Sequence, residues 1–143
     1  MKELSDNAVA KKSKEFAVRI VKLCNYLQNE KHEFCISKQL FRSGTSIGAN
    51  IFEALRGQSR ADFKSKLNIA LKEASESDYW IDLLKSTEYL SEKAADSIQK
   101  DCIELIKLLT SIIKSLNATK DEYNLREPET TEELIQNDLF ELE

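Results

Sequence analysis

Apolar residues return at three- and four-residue steps through four long stretches of this chain. Phe16, Ile20, Leu23 and Leu27 make the first series, and Leu40, Gly44, Ile47, Ile51 and Leu55 the second. Phe63, Leu67, Ala70, Ala74, Ser77, Ile81 and Leu84 make the third. Ala95, Ile98, Cys102, Leu105, Leu109, Ile112 and Leu116 make the fourth. Such spacing places each series on one face of a helix. One Pro and three Gly in 143 residues supply too few turns for a many-stranded β fold.

The sequence predicts helices over residues 6–31, 37–58, 60–89 and 92–116. Ser5 or Asp6, Ser37, Ser59 and Ser91 stand where N-caps belong, Gly57 suits a C′ position, and Asn117 marks a stop. At 1.5 Å per residue these helices are matched in length, about 33–45 Å each. Short links between them predict an all-α fold, an antiparallel up-down four-helix bundle over residues 1–120. Residues 121–143 form an acidic C-terminal extension, with Pro128 in it and a short apolar series of Leu134, Ile135, Leu139 and Phe140. Apolar residues beyond the main stripes, among them Tyr79, Trp80, Leu83, Ile103, Ile106, Leu108 and Ile113, predict a second buried surface and hence a homo-oligomer.

The net charge of −4 conceals an uneven distribution. It runs +2 over residues 1–35, +5 over 36–72, −5 over 73–101, +2 over 102–120 and −8 over 121–143. No apolar h-region opens the chain, and its longest apolar stretch, CIELIKLLTSII, carries two charges. The expectation is a cytoplasmic protein with no membrane contact. Cys24, Cys35 and Cys102 are irregularly spaced and odd in number, so they predict reduced thiols rather than a disulfide framework.

SGTSIGAN, residues 43–50, places Gly44 and Gly48 inside the second helix, at about 1 kcal/mol each relative to Ala. Their four-residue spacing gives a neighbouring helix a close approach, with Phe41 and Phe52 bordering the trough. A phosphate loop is excluded by context, since no strand precedes GTSIG and no Gly-Lys-Ser/Thr follows it.

That run, LFRSGTSIGANIFEA, is followed by ADFKSKLNIALKEASESDYWIDLL. Together they resemble the bacterial four-helix-bundle family named after proteins encoded in rRNA intervening sequences. The resemblance spans roughly residues 10–116. It rests on residues 43–50 with Glu53, then Asp62-Phe63, residues 69–74, Glu76 and Tyr79-Trp80. It implies a ring-like homopentamer of antiparallel bundles. It also extends to the accessory proteins of diversity-generating retroelements, which are similar pentamers whose basic surfaces associate with nucleic acid and a reverse transcriptase. No agreed biochemical activity comes with the wider family. The chain departs from the pattern at LRGQSR and in its acidic extension.

Candidate chemistry is sparse. Asn50, Glu53, Glu73 and Glu76 are expected as buried polar residues that fix helix register, with the glutamates paired to Lys or Arg or bonded to Asn50 and nearby hydroxyls. A di-metal centre would need Glu-x-x-His pairs, and the single histidine, His32, completes none. His32 and Cys35 are two ligands short of a zinc site and have no evident orienting partner for nucleophilic catalysis. No catalytic residue, metal or cofactor is assigned, and the chain is not expected to be an enzyme.

Lys38, Arg42, Arg56, Arg60, Lys64 and Lys66 form a basic strip, with Arg42 and Arg56 on one helix face about 21 Å apart. Repeated around a ring, it becomes a positive belt suited to the phosphates of RNA or DNA. Without aromatic stacking partners on the strip, backbone contact is expected rather than base reading. The competing expectation is a protein-interaction scaffold without nucleic-acid binding, in which the acidic extension docks a partner protein. That extension also has the character of a nucleic-acid mimic able to cover a basic surface, or of a solubilising tail.

Overall fold

A computed structural model describes residues 7–118. The expected Ser5/Asp6 cap and the apolar series of the extension lie outside the described residues. Four helices follow one another: α1 (Ala8–Asn29), α2 (Cys35–Leu55), α3 (Arg60–Ser86) and α4 (Glu92–Ala118). Each packs antiparallel on the next, and α1 meets α4 more sparsely than it meets α2.

The third and fourth apolar series are buried in full, every one of their seven members each. In α1, Phe16, Ile20 and Leu27 are buried and Leu23 is half-buried; in α2 the whole series is buried. Each large side chain so buried contributes about 1.5–3 kcal/mol. Two thiols join the core in parallel fashion. Cys24 of α1 donates to the Ser37 carbonyl of α2 at 3.3 Å, and Cys102 of α4 donates to the Ala74 carbonyl of α3 at 3.2 Å. Burial pushes both thiols up to about 12, with further help from Glu33 at Cys24 and from Asp78 and Asp101 at Cys102.

Helix ends depart from the expected caps in instructive ways. Asn7 caps α1, its Oδ1 accepting from Val9 and Ala10 at 3.1 and 3.4 Å. Ser59 and Ser91 cap α3 and α4 as expected, accepting from Asp62 and Ala94 at 3.1 Å. Ser37 does not cap α2. The helix begins earlier, and the buried Glu33 carboxylate takes the amides of Cys35, Ile36 and Ser37 at 2.7–2.8 Å. Gly57 is not in the left-handed region that a C′ glycine adopts; two i→i−3 bonds tighten the end of α2 instead. Left-handed backbone occurs at His32 and Glu88, with φ of 54° and 64°. Each lets a following amide reach back into the helix, Glu33 to Leu27 and Tyr89 to Leu84.

The two seams of α1 differ in kind. At α2, a Cβ on Gly44 would lie 2.8 and 2.9 Å from Ile20 Cγ1 and Cγ2, so the backbones approach as only glycine permits. A Cβ on Gly48 would meet Ser13 at 3.4 Å, an ordinary contact. Phe41 and Phe52 stay outside this crossing, 44% and 49% exposed, because α1 leaves no space for a ring over the glycines. At α4, Arg19 spans the seam to the Asp101 carboxylate and to Ser97 Oγ at 2.9 Å, beside an open cleft of about 400 Å³.

Candidate nucleic-acid interface

The hairpin at residues 56–59 divides the six candidate cations. Lys38 and Arg42 lie near the start of α2, whereas Arg56, Arg60, Lys64 and Lys66 gather where α2 ends and α3 begins. Lys64 and Lys66 are two positions apart on a helix and leave on opposite flanks of α3. Lys66 turns to α2 and pairs with Glu53 at 2.8 Å. Lys64 lines a shallow trough on α3 with Ala61, Ser65, Asn68, Ile69 and Lys72. Arg60 donates to the Leu116 carbonyl and so ties the start of α3 to the end of α4. Arg56 stacks over Phe52, 4.6 Å from the ring centroid. Among the described residues Lys38, Arg42 and Lys64 make no ion pair. One continuous strip along a helix face is therefore replaced by two groups separated along the bundle.

The antiparallel pairings also reveal a polarity. Ser13 meets Gly48, Ser43 bonds Ser77, Lys66 pairs with Glu53 and Arg19 with Asp101, which sets one end of the bundle as residues 7–18, 46–74 and 102–118. That end carries ten Lys and Arg against five Asp and Glu, a net charge of +5. The opposite end, residues 19–45 and 75–101, carries eight against nine, a net of −1. The basic end includes the exposed Lys11, Lys12 and Lys14 of α1, and Lys72 and Lys114. Reading helices one at a time does not find these, because they join Arg56 and Lys64 only once α1 and α4 are folded back beside them.

The expected buried polar set sits differently. Glu53 is 56% exposed at its side chain, drawn outward by Lys66. Asn50 is half-buried and donates to the Ser46 carbonyl at 2.8 Å. Glu73 is half-buried, and Glu76, also half-buried, accepts from Trp80 Nε1 at 3.2 Å. The register between α2 and α3 is held instead by the fully buried Ser43 and Ser77 hydroxyls, 2.9 Å apart. Small residues in buried stripes are the signal that points to them. His32 and Cys35 are both exposed, and among the described residues no group of three or more His, Cys, Asp or Glu is placed to hold a metal ion. No described helix is long and apolar enough to cross a membrane.

A family model described as 23S rRNA-intervening sequence protein matches residues 5–111. Among solved structures, a protein of unknown function from the S23 ribosomal protein family of Bacteroides thetaiotaomicron is similar, with 61% identity and a TM-score of 0.74. The match covers 75% of this chain and 99% of that one. No curated protein matches the chain.

Proposed function

Because the chain belongs to the 23S rRNA-intervening sequence protein family, we propose that it is a non-catalytic, self-associating bundle of the bacterial cytoplasm that contacts the backbone of RNA or DNA. The charge polarity carries this reading: an excess of five positive charges lies at one end of the bundle, and Lys64 there makes no ion pair among the described residues. Phosphates attract such a surface without regard to sequence, and each one neutralised releases counterions. In the homopentamer that the resemblance implies, five basic ends add to one another.

The test is a salt titration of binding to single- and double-stranded RNA and DNA. The variant Arg56→Gln/Lys64→Gln/Lys72→Gln is expected to weaken binding to all sequences and to lower the slope of log K against log salt by about 0.9 for each duplex phosphate left unneutralised. Lys38→Gln/Arg42→Gln, at the other end, is expected to lose less. Equal losses would overturn the assignment of the end, and absence of binding at low salt would overturn the function.

A second reading, a homo-oligomeric scaffold without nucleic-acid contact, is favoured by Phe34, Phe41 and Phe52. These stand exposed at intervals of seven and eleven residues, close to whole helical turns, on or beside one face of α2. Under it, Phe41→Ser/Phe52→Ser dissociates the assembly in sedimentation while full-length protein binds no nucleic acid.

A further inference from the structure

The outer face of α3 combines small side chains, an exposed isoleucine and lysines that make no ion pair among the described residues. Ala61, Lys64, Ser65, Asn68, Ile69 and Lys72 line its trough of about 550 Å³, with Ile69 38% exposed. It extends over residues 61–72, about 16 Å of helix. The trough begins beside the end of α4, since Arg60, next to Ala61, holds the Leu116 carbonyl two residues before Ala118. Beyond Ala118 the chain runs into the segment of charge −8. Its apolar pairs, Leu134-Ile135 and Leu139-Phe140, are set among Glu132, Glu133, Asp138 and Glu141. Fifteen residues separate Ala118 from Leu134, a span of up to about 50 Å and ample to reach any part of the trough.

We propose that residues 121–143 dock along this outer face of α3 in their own bundle, the apolar pairs over Ala61, Ser65 and Ile69 and the carboxylates against Lys64 and Lys72. In the cleft lined by Arg19, Leu23 and Lys93, Arg19 is already paired with Asp101. The cleft between α1 and α4 lies in the half of net charge −1. Docking stands independently of nucleic acid; its consequence, that the segment competes with phosphates for Lys64 and Lys72, rests on the function proposed above.

The experiment uses full-length chains throughout. Amide spectra of the isotope-labelled protein are compared with those of Leu139→Ser/Phe140→Ser and of Glu132→Gln/Glu133→Gln/Asp138→Asn/Glu141→Gln. Both variants are expected to shift the amides of residues 61–72 and to leave those of Ala94 and Ser97 unmoved. Unmoved amides in residues 61–72 would overturn the docking. Carbodiimide coupling at high dilution is expected to join Lys64 or Lys72 to Glu132, Glu133 or Glu141 within one chain. Links only between chains would overturn docking in the same bundle and assign the trough to a neighbouring copy. With an RNA duplex at low salt, a segment docked nine-tenths of the time lowers apparent affinity about tenfold, which the charge-neutralised variant recovers. Unchanged affinity would overturn the competition. Binding by neither protein, with the shifts still present, would sink the proposed function and leave the docking standing.

Discussion

Against α2, helix α1 lies on a backbone without a side chain, Ile20 filling the space over Gly44. Against α4 it stands beside an open cleft and is joined by Arg19 to Ser97 and Asp101. The first seam depends on shape at the scale of a methyl group, because packed interiors yield little. The second depends on charge at partly exposed side chains, 42% for Arg19 and 39% for Asp101, where water and salt compete. Tolerance should differ accordingly: the glycine seam at Gly44 admits almost no change and ignores salt, and the arginine seam admits many changes and responds to it.

The largest expected effect comes from adding one carbon to the tight seam. Gly44→Ala improves helix propensity by about 1 kcal/mol. It nevertheless drives a Cβ to 2.8 Å from a buried Ile20, and denaturant unfolding should show a net loss of about 3 kcal/mol. Removing the obstacle tests the cause: Ile20→Ala combined with Gly44→Ala should lose at least about 1 kcal/mol less than the sum of the two. An additive pair would mean that the approach of α1 is not what Gly44 serves.

Next is the corner that joins the two helices of that seam. Glu33→Ala strips three α2 amides of their acceptor and is expected to cost about 2 kcal/mol, with faster hydrogen exchange at Cys35, Ile36 and Ser37. Protection unchanged at those amides would count against the carboxylate as the cap. At the open seam, Arg19→Ala should cost no more than about 1 kcal/mol, and the cost should shrink as salt rises. A salt-independent loss of several kcal/mol would erase the contrast between the seams. Smallest of all, and opposite in sign, is Gly48→Ala. Its added Cβ meets Ser13 at an ordinary 3.4 Å, so relief of the glycine penalty should stabilise by about 0.5 kcal/mol.

Those two glycines also show how far the sequence could be read. Their spacing announced a close approach, but which of them α1 crowds too closely for a Cβ depends on the rotation of a helix elsewhere in the chain. The stripes of α3 and α4 were legible in full because burial on one face writes itself directly into a three-four period. Glu33 was not legible: a carboxylate that caps the helix after it, from a link residue, looks like any surface glutamate until the turn is formed. The basic strip was legible as residues and not as a surface. Its six members lie close in sequence, and the hairpin sends Lys64 and Lys66 to different flanks while bringing in Lys11, Lys12 and Lys14 from far away along the chain. The same holds for Glu53, whose place is decided by Lys66 across the helix pair.

The three thiols give the bundle a built-in record of its own opening. Cys35 is exposed at the start of α2, so a thiol reagent meets it in the closed protein. Cys24 and Cys102 are buried and held protonated, one spanning α1 to α2 and the other α3 to α4. Each is modified only when its own helix pair parts. Equal labelling rates at the two would report cooperative unfolding of the whole bundle. A faster rate at Cys24 would report α1 parting from α2, and a faster rate at Cys102 would report the departure of α4 from α3.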